Sequence, residues 1–138
     1  MNQHTPAITR TSFTLAAAAA ALLILSACVP NKTETSTGKA TTLKVESTAT
    51  ECVVSAAEAP SGTVEFEITN SADQATEFYL LAEDGKRVVG EAENIAPGAP
   101  RKFTAQLKAG DYFTLCKPGM VGDGVGKAAF TVTDSATK

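Results

Sequence analysis

Hydrophobic and polar residues alternate along most of the chain after residue 41. In the run TVEFEIT, Val64, Phe66 and Ile68 would face a core, while the two glutamates between them face water. Similar runs follow at short intervals, and Gly-, Pro-, Asn- and Asp-containing turns separate them. The predicted strands are 42–47, 52–56, 63–69, 75–82, 87–91, 101–107, 111–116 and 128–133.

This pattern predicts the fold class. No window after the first 28 residues has the sustained 3.6-residue apolar stripe of an amphipathic helix. About seven short strands within residues 42–133 are typical of an antiparallel β-sandwich. We therefore predict one all-β domain over 42–133. One of its turns is Asn94–Gly98, where Asn94 and Gly98 can adopt positive φ.

The N-terminal region has a different pattern. Arg10 supplies a positive charge, and an unbroken apolar run covers residues 15–25, well short of the roughly 20 residues needed to cross a bilayer. The run closes with Leu25-Ser26-Ala27-Cys28, which resembles a lipobox. We expect residues 1–27 to be a lipoprotein signal peptide and Cys28 to be lipidated. A plain secretory signal with an incidental cysteine is the alternative.

The segments that flank the domain have little apolar content. Residues 28–41 begin with the lipidated cysteine and continue in Asn, Lys, Thr, Ser and Gly, so we expect a flexible linker. Residues 134–138 would form a C-terminal tail. The lipid anchor predicts a protein held at the cell membrane on its extracytoplasmic face, in the periplasm or at the cell surface, without spanning the membrane.

Charge and histidine content exclude several function classes. The net charge is −3 and no Lys/Arg run exceeds a pair, so we expect no binding to nucleic acid. The single histidine, His4, lies in the predicted signal peptide. Imidazole-dependent catalysis and histidine-ligated zinc or copper would then be absent from the mature protein. We expect a protein that is not an enzyme and that would hold any metal through sulfur and oxygen.

Cys52 and Cys116 are the cysteines that remain after Cys28. In an oxidising compartment the pair is suited to a disulfide closing a loop of about 65 residues. The same two residues could instead be metal thiolates. A disulfide-stapled structural or interaction module of the cell envelope, holding no metal, is therefore the alternative function.

Four other side chains are candidate metal ligands. Glu77 stands within an otherwise apolar strand, where a buried carboxylate would need a partner or a metal, although it could also face solvent. Glu91 and Glu93 have the i, i+2 spacing that places two carboxylates on one face of a strand, or along a solvated acidic edge. Met120 follows Cys116 by four residues, and a thioether near a thiolate suits copper. A loop methionine packing over the end of the sandwich is the alternative.

Four strings together resemble the cupredoxin-like domain of the EfeO iron-uptake lipoproteins. They are FEITN at 66–70, EFYLL at 77–81, VVGEAENIAPG at 88–98 and the segment from GDY to the cysteine at 110–116. The resemblance covers roughly residues 42–133 and implies a cupredoxin-like Greek-key β-sandwich. Many members also carry a C-terminal helical domain, so we expect its iron capture to be absent here or supplied by another chain.

The resemblance implies a protein that binds copper or iron through cysteine and glutamate and assists iron uptake or electron transfer. Glu77 matches the first histidine position of cupredoxins and Cys116 matches the copper thiolate. An iron-uptake permease or peroxidase component would be the partner. With Met120 added from its spacing, the expected metal ligands are Cys52, Glu77, Glu91, Glu93, Cys116 and Met120.

Overall fold

The computed structural model describes residues 39–135, which form nine β-strands and one 3₁₀ turn, Pro118–Met120. The predicted signal peptide, Cys28 and most of the linker lie outside the described residues, as do residues 136–138. The strands are β1 (Thr41–Ser47), β2 (Cys52–Val54), β3 (Glu58–Pro60), β4 (Gly62–Asn70), β5 (Thr76–Leu81), β6 (Val88–Ile95), β7 (Pro100–Leu107), β8 (Gly110–Cys116) and β9 (Val125–Thr133).

The strands form two sheets, which confirms the predicted all-β sandwich. One sheet has the order β2-β1-β4-β7 and the other has the order β3-β9-β8-β5-β6. The expectation of a purely antiparallel fold is wrong for two pairs, because β1 pairs with β4 and β3 pairs with β9 in parallel. In each pair the chain visits the other sheet between the two strands.

Two strands differ from the sequence-based expectation in extent. β3 has only three residues, too few for an alternating pattern, and it was not predicted. β6 continues to Ile95, four residues beyond its predicted end, because Ala92 and Ile95 are buried and extend its inner face. Asn94 and Gly98 have φ values of 52° and 71°, as the turn chemistry predicts.

Aromatic rings from both sheets fill the core. Phe66 of β4 is fully buried and lies 5.1 Å from Phe78 of β5, measured between ring centroids. Its distances to Phe103 and Phe130 are 5.9 and 5.7 Å. Because these residues come from β4, β5, β7 and β9, the ring cluster fixes how the two sheets stack.

A disulfide joins Cys52, at the start of β2, to Cys116, at the end of β8. It connects the two sheets, and both residues are buried. Gly126 packs directly on it: a Cβ at this position would lie 2.4 Å from the Cys52 nitrogen, and its φ is +62°. Only glycine fits such a close approach without a shift of the backbone.

Among residues 39–135, no helix is both long and apolar enough to cross a membrane.

Candidate functional site

Glu77 and Tyr79 lie on the outer face of β5. Thr76, Phe78 and Leu80 alternate with them and are fully buried, whereas Glu77 and Tyr79 are half-buried. The Tyr79 hydroxyl donates a hydrogen bond to the Glu77 carboxylate at 2.7 Å. Glu77 therefore faces outwards. The hydrogen bond from Tyr79 stabilises the carboxylate, so Glu77 needs no charged partner in the core.

Glu91 and Glu93 lie on the outer face of the neighbouring strand, β6. Both are exposed and the residue between them, Ala92, is buried, so they share one face as their spacing predicts. Tyr79 stands opposite Glu91 in the β5–β6 register. Directly opposed residues in an antiparallel pair lie on the same side of the sheet. We call the set Glu77, Tyr79, Glu91 and Glu93 the acidic face.

The carboxylates of the acidic face all affect the pKa of Tyr79. The pKa of Tyr79 is raised well above its ordinary value, first because its hydroxyl is hydrogen-bonded to Glu77 and next because it is partly buried. The negative charges of Glu77, Glu91 and Glu93 raise this pKa further, since they oppose formation of a phenolate. The phenol therefore stays protonated beside the three carboxylates.

Lys117 borders the acidic face on its β8 side. Its backbone amide donates to the Glu77 carbonyl at 2.8 Å, and the Glu77 amide donates back at 3.2 Å. Its ammonium nitrogen lies 5.1 Å from the centroid of the Tyr79 ring. Lys117 and Tyr79 were not among the sequence-based candidates. In the sequence, the i, i+2 spacing from Glu77 was the feature that could have identified Tyr79 as a site residue.

Asn70 connects the segment before β5 to the end of β6. It is fully buried, and its side-chain amide donates to the carbonyls of Gln74 and Ile95 at 2.8 and 2.7 Å. Its side-chain oxygen accepts a hydrogen bond from the Ala72 amide at 3.0 Å. Asn70 thereby holds the ends of the two strands that carry the acidic face.

The two cysteines do not share the acidic face, whereas the turn that carries Met120 is hydrogen-bonded to the segment before β5. Cys116 stands opposite Phe78 in the β5–β8 register, and both side chains face the core, whereas Glu77 faces outwards. Met120 is 39% exposed in the 3₁₀ turn that follows β8. In the described part of the chain, no three His, Cys, Asp or Glu side chains are positioned to hold a metal ion. The structure thus does not bring the six candidate ligands into one centre.

The chemistry of the donor atoms determines which metal ion the sulfur candidates and the acidic face could each bind. A copper site of the cupredoxin kind needs a thiolate, but both sulfurs are in the disulfide, and residues 39–135 contain no histidine. The described residues therefore do not fit such a copper centre in this state. Carboxylate oxygens, by contrast, suit a hard cation such as Fe(III).

Comparisons with known proteins agree with the fold and with the resemblance in sequence. A family model described as a cupredoxin-like domain matches residues 15–127. The iron uptake system component EfeO of Yersinia pestis is 37% identical over 82 residues, which are 59% of this chain and 21% of that protein. EfeO of Escherichia coli strain K12 is 38% identical over 74 residues, 54% of this chain and 19% of that protein. The chain therefore spans about one fifth of the length of these curated relatives.

Two solved structures share the fold. Reduced auracyanin from Roseiflexus castenholzii superposes with a TM-score of 0.51 at 18% identity, covering 70% of this chain and 99% of that one. Reduced rusticyanin gives a TM-score of 0.55 at 18% identity, covering 70% of this chain and 81% of that one. At this level of identity, these likenesses show the architecture alone.

Proposed function

The chain belongs to the cupredoxin-like domain family, and on that premise we propose that it binds iron as cargo on its acidic face, outside the cytoplasm. One observation carries the proposal: Glu77 of β5 and Glu91 and Glu93 of β6 lie on the outer face of neighbouring strands, and Tyr79, hydrogen-bonded to Glu77, stands opposite Glu91. They supply hard oxygen donors at a surface that iron can reach. The name of the relatives, iron uptake system component, supports iron as the cargo.

The proposal also includes a location and a partner. A lipid on Cys28 would tether the domain to the extracytoplasmic face of the membrane, and residues 29–40 would serve as the spacer. From there the domain would pass iron to a permease or peroxidase component of an uptake system. The protein would act as a carrier and not as an enzyme, since the chain's only histidine is His4.

Copper binding has less support than iron binding while Cys52 and Cys116 form a disulfide. The disulfide removes both thiolates from Cys52 and Cys116 and leaves Met120 as the one sulfur ligand of the predicted set. A thioether alone is a weak ligand compared with a thiolate. Iron on the acidic face needs no sulfur, so it is compatible with an intact disulfide.

Removing the two β6 carboxylates is expected to weaken iron binding. The variant Glu91→Gln/Glu93→Gln keeps side-chain size but removes two charged donors, so we expect its affinity for Fe(III) to fall by at least about tenfold. Titration of the purified protein with ferric nitrilotriacetate, followed by equilibrium dialysis and metal analysis, measures this. Glu51→Gln/Glu58→Gln is the matched control, because both residues are exposed and belong to neither β5 nor β6.

Equal affinities in the two double variants would contradict the proposal. The alternative function, a disulfide-stapled module that contacts other envelope proteins, has the disulfide itself as its supporting observation. Absence of saturable iron binding in the wild-type protein, together with no free thiol at Cys52 or Cys116, would favour that alternative.

A further inference from the structure

A pocket of about 250 Å³ lies on the outer face of the five-stranded sheet, next to the acidic face. Its apolar and aromatic lining comes from Tyr79 and Leu81 of β5 and from Leu115 of β8. Lys86, from the β5–β6 turn, and Lys117, just after β8, also line it. Tyr79 belongs to both the pocket and the acidic face, so a ligand in the pocket would lie beside the carboxylates.

The lining of this pocket holds two ammonium groups, those of Lys86 and Lys117, and one carboxylate. Within residues 39–135, neither Lys86 nor Lys117 forms an ion pair. Outside the lining, the Lys127 ammonium donates at 2.7 Å to the Gly85 carbonyl, and the Asp84 carboxylate accepts from the Lys86 amide at 2.8 Å. Asp123 is the only acidic residue of the lining. The pocket is therefore suited to an anion.

The size of the pocket limits the kind of anion. Pockets for drug-sized ligands occupy roughly 300–1,000 Å³, and this one is smaller. An aromatic ring and two leucines can contact a short carbon skeleton, while the lysines bind carboxylate groups at its ends. A small organic polycarboxylate has both features.

The position of the pocket connects this ligand to iron. A face with three carboxylates repels a ferric chelate that carries net negative charge, whereas neighbouring lysines attract it. We propose that the pocket binds the polycarboxylate part of an anionic ferric chelate and so presents the iron to Glu77, Glu91 and Glu93. The proposal rests on the proposed function, because it assigns the form in which iron arrives at the same face.

Calorimetric titrations with citrate, with ferric citrate and with aqueous Tb(III) distinguish binding to the pocket from binding to the acidic face. Citrate alone probes the pocket, and Tb(III), a hard trivalent cation without a chelator, probes the acidic face. We expect Lys86→Gln/Lys117→Gln to weaken citrate and ferric citrate binding by about tenfold without weakening Tb(III) binding. Lys44→Gln/Lys108→Gln is the matched control, since both lysines are exposed and line no part of this pocket.

The outcomes for the two proposals are distinguishable. Absence of citrate binding to the wild-type protein, or equal citrate affinity in the two lysine double variants, would overturn the pocket proposal whatever Tb(III) does. Unchanged Tb(III) affinity in Glu91→Gln/Glu93→Gln would instead count against the acidic face. Loss of citrate affinity in Lys86→Gln/Lys117→Gln alone, with Tb(III) binding retained, is the result that we expect.

Discussion

The variant Cys52→Ala/Cys116→Ala is expected to lose about 4 kcal/mol of the free energy of unfolding, according to the chain-entropy account of disulfides. The disulfide spans 64 residues of sequence and joins the two sheets, so its removal frees a long loop in the unfolded chain. For a domain of this size, the melting temperature would fall by more than about 15 °C. Urea unfolding followed by circular dichroism measures the free energy.

A reducing agent supplies the control for this prediction. Reduction of the wild-type protein should lower its stability towards that of the double alanine variant, whose own stability should not respond to the reductant. A double variant within about 1 kcal/mol of the oxidised wild type would contradict a structural role for the disulfide. The thiolate interpretation of Cys52 and Cys116 would then regain support.

Asn70→Asp is expected to destabilise the fold by about 3–5 kcal/mol at neutral pH. The change keeps the shape of the side chain but replaces the amide that donates to Gln74 and Ile95. A carboxylate would then face two carbonyl oxygens in a fully buried position, without a donor for either. Thermal and urea unfolding of the variant test this expectation.

Gln106→Glu is the matched control for Asn70→Asp. It makes the same amide-to-carboxylate change at an exposed position of β7, so stability should change by less than about 0.5 kcal/mol. Similar losses in the two variants would show that the buried hydrogen bonds of Asn70 do not hold β5 and β6 together. Because those strands carry the acidic face, we also expect Asn70→Asp to weaken iron binding.

The alternation of side chains made most of the fold predictable. In β4, Val64, Phe66 and Ile68 are buried between polar residues because one face of the strand meets the core and the other meets water. The direction of pairing was not predictable, since alternation is the same in a parallel and an antiparallel strand. The parallel pairing of β1 with β4 joins strands that β2 and β3 separate along the chain, so short-range patterns do not record it.

The candidate site was predictable only in part, for a similar reason. The spacing of Glu91 and Glu93 fixes their common face within one strand. The separation of Glu77 from Cys116 depends on the register between β5 and β8, which places Phe78 opposite the cysteine. The match of single positions to the family pattern predicted one set of metal ligands. In the structure, the glutamates of that set lie on the outer face of the sheet and the cysteines lie in the core.

This division suggests different roles for sulfur and oxygen in the domain. The sulfurs of Cys52 and Cys116 join the two sheets, and the outward-facing oxygens provide the proposed surface for iron. Of the positions that resemble a metal centre in sequence, the cysteines would thus have a structural role and the glutamates a metal-binding role.

X-ray absorption at the iron edge tests this account most directly. The protein would be purified without reductant, loaded with Fe(III) and freed of excess chelator. We predict a first coordination shell of oxygen donors and no sulfur neighbour. A sulfur neighbour in that shell would contradict the account, because it would place Met120, or a cysteine from an opened disulfide, on the metal.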